Sequence, residues 1–132
     1  MQKFKYNIVM LVDDDEIDNF VTKKMIDDNH FAKKLIIKLT AEDALNYLKK
    51  EQNSPEELPD LIFLDILMPV MDGFAFLDEF DKFNDTVRKK CKIILLSTSE
   101  SFKDLNRANK NKYVSKFLTK PLIEAALNAI NV

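Results

Sequence analysis

Four apolar runs of the chain end in residues able to do chemistry. Asp13 and Asp14 follow Ile8 to Val12, and Asp65 follows Leu61 to Leu64. Ser97 follows Ile93 to Leu96, and Lys120 comes just after Val114 to Leu118. If these runs are parallel strands, the polar groups gather along one carboxyl edge, where open α/β sheets bind ligands. Neighbouring first and third strands would bring Asp13, Asp14 and Asp65 within a few ångströms. Like charges that close cannot all stay ionised: a carboxyl pKa rises or a cation enters. Oxygen ligands without a nearby Cys or His favour a hard cation, Mg²⁺ before Zn²⁺. Mg²⁺ retains waters and completes its shell with phosphate oxygens. Lys120 then offers a point charge and Ser97 a hydroxyl for those oxygens, and an Asp is a nucleophile for phosphoryl groups. The residues read as a Mg²⁺-assisted phosphoryl site with an aspartyl acceptor.

Composition removes the competing chemistries. The chain has 132 residues, a formal net charge of -2, one Gly, one Cys and one His. With Gly73 alone, neither a glycine-rich phosphate loop nor a dinucleotide fingerprint can be present. Cys91 and His30 as single residues exclude a disulfide framework and a Cys/His metal cluster. The charge balance argues against general binding to nucleic acid or anionic lipid. No apolar stretch approaches the ~18 residues of a membrane span, and no signal peptide is visible. These features predict a soluble, cytoplasmic, single domain over residues 1–132 with no output domain.

The elements that must position these residues alternate along the chain. Ile8–Val12 is a continuous apolar run, as for a strand buried on both faces. Ile17, Phe20, Val21 and Met25 then recur at helical spacing. Leu35–Ile37 is a second short strand, and Thr40 offers an N-cap to a helix with the face Ala41, Ala44, Leu45 and Leu48. Glu51 to Pro59 reads as a loop. After the strand Leu61–Leu64, a turn through Pro69 and Gly73 leads to the stripe Phe76, Phe80 and Phe83. The strand Ile93–Leu96 precedes a weak helix from Ser101, its cap, to Asn109. The strand Val114–Leu118 follows, and Pro121 opens a last helix with the face Ile123, Ala126, Leu127 and Ile130. Five strands alternating with five helices in this length make an α/β domain, its mostly parallel sheet covered on both faces.

The motifs Val12-Asp13-Asp14-Asp15, Leu64-Asp65 through Met68-Pro69 to Asp72-Gly73, Ser97 and Lys120-Pro121 stand in order, each at a strand end. Together they resemble the receiver domains of two-component response regulators, over roughly Tyr6 to Ile130. The resemblance implies a doubly wound, flavodoxin-like five-stranded parallel sheet of order 2-1-3-4-5. It implies that Asp65 accepts phosphate from a sensor histidine kinase or a histidine phosphotransfer protein. Asp14 would hold Mg²⁺ directly, Asp13 mainly through water, and the Leu67 carbonyl would be a further ligand. Lys120 would contact the phosphoryl group, with Ser97 and Phe117 as the switch pair. Such a domain catalyses its own phosphotransfer and signals by phosphorylation-dependent protein–protein interaction. Leu67 and Ser99 stand where the family tunes loss of phosphate, and the apolar Leu67 predicts slow loss. Asn111-Lys112-Tyr113 departs from the family, which usually has a glycine before the fifth strand.

Other residues read more plainly. Asp15, Glu16 and Asp18 suit a helix N-terminus, where the macrodipole favours acids. Asp72 is a turn residue, Met68 and Met71 fill the core, and the sequon at Asn84 is coincidental. The basic run Lys103, Arg107, Lys110, Lys112, Lys116 and Lys120 could be a solvated face or meet an acidic downstream protein. Receivers commonly use the fourth helix, fifth strand and fifth helix for output. An aspartyl phosphohydrolase is the weaker reading, because Ile66-Leu67 replaces the second Asp such enzymes place after the nucleophile.

Overall fold

The computed structural model describes residues 3–98 and 102–132. Ser99 and Ser101, read above as a tuning residue and a helix cap, lie outside them. The elements run β1 (Tyr6–Val12), α1 (Glu16–Asp28), β2 (Ala32–Lys38), α2 (Ala41–Glu51), a 3₁₀ turn (Pro55–Glu57) and β3 (Leu61–Leu64). They continue as α3 (Gly73–Phe80), α4 (Asp85–Lys90), β4 (Lys92–Ser97), α5 (Phe102–Lys110), β5 (Val114–Thr119) and α6 (Glu124–Asn128). All neighbouring strands are parallel, in the order β2-β1-β3-β4-β5. The expected doubly wound topology is therefore the one observed.

Strand alternation sorts the apolar side chains into two cores. Met10, Val12, Ile62, Leu64, Ile93 and Leu95 meet α2, α3, α4 and α5 on one face. Val9, Leu11, Phe63, Ile94 and Leu96 meet Ile26 of α1 and Leu127 of α6 on the other. Each fully buried Leu, Ile or Phe stabilises the fold by about 1.5–3 kcal/mol. Because β1 lies between β2 and β3, the chain reverses its winding direction there. A crevice opens at the carboxyl ends of β1 and β3 as a result.

Local sequence reading and structure part at several points. Most of the stripe on α1 faces outward: Ile17 is 76% and Phe20 70% exposed, and Val21 is exposed too. Met25 packs on the second core, and Asn19, Thr22 and Ile26 are buried. The structure has six α-helices among the described residues, where the apolar spacing predicts five. The extra one, α4, is capped by Asn84, whose Oδ1 accepts the Val87 N–H at 3.0 Å. Its anchor is the buried Val87, and Arg88, Lys89 and Lys90 complement the dipole at its end. The Phe stripe consequently breaks after Phe80, and Phe83 packs from the turn with its ring 6.2 Å from that of Phe80. Pro121 does not open the last helix, which starts at Glu124; Leu122 is buried and Ile123 exposed. β2 extends beyond Leu35–Ile37 because an edge strand tolerates charges such as Lys33 and Lys34. In the loop lacking the family glycine, Asn111 Oδ1 accepts the Tyr113 N–H at 2.9 Å. The Tyr113 ring meets Phe80 edge-on at 5.2 Å, and its hydroxyl donates to Asp81.

Cys91 sits in the first core, and burial pushes its thiol up to about 12. Thiolate is the reactive form. The native protein at pH 8 should therefore resist iodoacetamide by orders of magnitude relative to the unfolded chain, as mass spectrometry against urea would show.

Candidate functional site

Backbone hydrogen bonds seat both acidic segments at the sheet's edge. The Asp13 N–H donates to the Lys38 carbonyl at 3.1 Å, and the Asp65 N–H to the Val12 carbonyl at 3.0 Å. Asp13 Oδ1 accepts the Asp15 N–H at 3.0 Å. Asp15 then caps α1, its Oδ1 accepting from Ile17 at 2.9 Å and Asp18 at 3.1 Å. The Asn19 amide donates to the Asp13 carbonyl at 2.9 Å, tying the first turn of α1 to the end of β1. Asp72 caps α3, accepting from the Ala75 N–H at 2.8 Å.

These supports bring the expected acids together. Carboxylate oxygens of Asp13, Asp14 and Asp65 all lie within 4.8 Å of one another. Asp13 and Asp65 are buried and Asp14 is exposed, so the cluster opens to solvent on one side. The Lys120 side chain, 8% exposed, reaches in from the end of β5. Its Nζ donates to Asp13 and, at 2.9 Å, to Asp18, and stands 3.7 Å from Asp65 Oδ2. The Lys120 N–H donates to the Ser97 carbonyl at 2.9 Å, which places the buried Ser97 beside it. Leu67 is exposed. Phe117 is half-buried on β5, in register with Leu95, and packs on the first core.

The electrostatics follow from this crowding. Burial raises the Asp65 carboxyl to about 6; Lys120 opposes the rise, while Asp13 and Asp14 add to it. Burial alone would lower the Lys120 ammonium, but its hydrogen bonds to Asp13 and Asp18 outweigh that and hold it above the ordinary lysine value. A crevice with this donor set fits a hard, oxygen-preferring cation: three carboxylate ligands converge, and no sulfur or imidazole is among them.

Asp18 is the residue that sequence reasoning misses. The helix dipole accounts for it in sequence, yet it pairs with Lys120 across the crevice. No local spacing points to this, because its partner lies 102 residues away in the chain. Part of the basic run is drawn away from the open surface. Lys120 is buried in the crevice, and Lys116 reaches the Ala129 carbonyl at 3.4 Å. Lys103, Arg107, Lys110 and Lys112 remain exposed, the first three at helical spacing on α5, and Arg107 also lies over the Phe74 ring at 3.9 Å.

An open parallel sheet of this order, with an acidic crevice at its switch point and a lysine from β5, defines a flavodoxin-like α/β protein with a cation-ready site. The family model for the response regulator receiver domain matches residues 9–130, and the chain belongs to that family. It is 26% identical over 116 residues to the chemotaxis protein CheY of Halobacterium salinarum, covering 80% of this chain and 92% of that one. It is 28% identical over 116 residues to the response regulator Rcp1 of Synechocystis, covering 86% of this chain and 76% of that one. Among solved structures, a two-component response regulator from Cytophaga hutchinsonii is 30% identical with a TM-score of 0.87, over 94% of this chain and 92% of that one. Receiver domains accept phosphate from histidine kinases, and the family usually binds Mg²⁺ at an acidic pocket. Among the described residues, no helix is long and apolar enough to cross a membrane.

Proposed function

We propose that this receiver works as a phosphorylation switch with Asp65 as its acceptor, supplied by a sensor histidine kinase or a histidine phosphotransfer protein. The observation that carries this reading is the convergence of Asp13, Asp14 and Asp65 with Lys120 beside them. An Asp65 oxygen forms the bond to phosphorus as the phosphorus–nitrogen bond to the donor's histidine breaks, the electron pair staying on the imidazole nitrogen. Asp13, Asp14, Asp65 and the Leu67 carbonyl would hold Mg²⁺. When bound, the ion neutralises the crowded carboxylates and the phosphoryl oxygens. The Lys120 ammonium provides a fixed positive charge for the same oxygens.

After transfer, the added charge at Asp65 draws Ser97 and Lys120 towards it. Phe117 moves inward behind Ser97, and β5 and α5 transmit the change to a downstream protein. Slow loss of phosphate fits the exposed, apolar Leu67, which cannot orient a water. The test is incubation with Mg²⁺ and acetyl phosphate, followed by intact-mass measurement. A single-phosphate gain is expected that Asp65→Asn abolishes, EDTA prevents and dilution removes only slowly. No gain with any donor or kinase overturns the reading, and a half-life of seconds overturns the slow loss.

A further inference from the structure

Lys120 has more carboxylates than the proposed reaction needs. Its ammonium bonds Asp13 and Asp18 and stands 3.7 Å from Asp65, farther than from either of the other two. Asp18 is not one of the acids that converge on the cation-ready cluster. It reaches the ammonium from the first turn of α1, 102 residues away in sequence, and its side chain is 36% exposed. Its backbone is held independently: the Asp18 N–H is bonded by the capping Asp15, and the neighbouring Asn19 is bonded to the Asp13 carbonyl. The carboxylate is thus presented to Lys120 by a braced helix end.

We infer that Asp18 is a positioning residue that holds Lys120 off Asp65 until a phosphoryl group takes its place. This inference rests on the proposed function of the same site. In the resting protein, Asp13 and Asp18 share the ammonium and satisfy its donors in a buried setting. A phosphoryl group on Asp65 presents oxygens closer to the ammonium than the Asp65 carboxylate does. Lys120 turns to them and keeps Asp13, and Asp18, being part-exposed, is released to water at little cost. Phosphorylation therefore breaks the bond between α1 and the end of β5, and the energy of that bond is subtracted from the affinity for the phosphoryl group. Asp18 sets how readily the switch fires through Lys120, without touching phosphate or metal.

The test uses the full chain with beryllofluoride, a mimic of the aspartyl phosphoryl group, at saturating Mg²⁺, with affinity read by fluorine NMR. Asp18→Asn should bind the mimic about two- to fivefold more tightly, the upper part of the range that a solvent-accessible ion pair commands. Asp18→Glu, which keeps a carboxylate within reach of the ammonium, should restore wild-type affinity. Two controls remove one charge from the same helix end without touching Lys120: Asp15→Asn, which keeps a good cap, and the exposed Glu16→Gln. Each should change affinity by less than twofold. Lysine-selective proton–nitrogen NMR should place the Lys120 ammonium resonance of mimic-free Asp18→Asn away from its wild-type position. The two should converge once the mimic is bound. An unchanged affinity in Asp18→Asn, or an equal gain in the two controls, overturns the positioning role while leaving the proposed function standing. Failure of the wild type to bind the mimic overturns both.

Discussion

Gly73→Ala should destabilise the protein by about 2–4 kcal/mol and slow phosphoryl uptake by about ten- to a hundredfold. A Cβ built on Gly73 would lie 2.7 Å from the Asp65 carbonyl oxygen, 3.0 Å from Ile66 Cα and 3.3 Å from the Asp65 carbonyl carbon. All are backbone atoms, so no flexible side chain can swing away. Gly73 does not have a positive φ, so the position demands space and not a special dihedral. The close approach is fastened by the Gly73 N–H, which donates to the Ile66 carbonyl at 2.9 Å. Inserting a methyl group where packing is this tight costs about 1–3 kcal/mol, and more where the backbone must move. Here the backbone that moves carries Asp65, and small misplacements of a reacting group cost large factors in rate. Urea unfolding and acetyl phosphate labelling measure the two effects. A variant with wild-type stability and rate would mean the start of α3 can retreat without dragging Asp65.

In metal-free buffer, Asp65→Asn should stabilise the protein at pH 7–8 by about 1–3 kcal/mol. The folded Asp65 carboxyl is raised to about 6 from its ordinary 3.8, chiefly by burial. A group raised on folding contributes its stability below the unfolded pKa and loses it as pH climbs through the folded one. Wild type should therefore lose ground to the variant between about pH 4 and pH 6, and the difference should hold above that. A tenfold change in proton affinity on folding is worth about 1.4 kcal/mol, which sets the upper end of the range. Lys120 keeps Asp13 and Asp18 in the variant, so no charge is stranded. Mg²⁺ should raise the melting temperature of wild type more than that of the variant and narrow the gap. Thermal melts in EDTA across pH 4–8, repeated with Mg²⁺, measure this. A variant less stable than wild type at pH 8 without metal would show that Asp65 is a net stabiliser.

The sheet and its edge chemistry are legible in the sequence because their causes are local. Strands buried on both faces read as unbroken apolar runs, and the residue after each run falls on the carboxyl edge; Asp13, Asp65, Ser97 and Lys120 are found that way. The first helix is not, because its orientation is decided by polar bonds. Asn19 must face inward to reach the Asp13 carbonyl, and that rotation turns Ile17 and Phe20 to water. Asp18 escapes for the same reason, since its partner is distant in sequence. The helix α4 escapes because one apolar residue, Val87, anchors it and its periodicity is too weak to read. At the last helix, Pro121 suggests a start that the backbone delays to Glu124, shifting the buried position from Ile123 to Leu122.

The outward stripe of α1 leaves one helix with two faces under different physical demands. Ile17 and Phe20 contribute little to the core, so polar replacements there should leave the fold within a few tenths of a kcal/mol of its starting stability. The inner face answers to folding and to the crevice, through Ile26, Asn19 and Asp18. The outer face carries neither demand, so replacements there should leave the chemistry of the crevice unaltered.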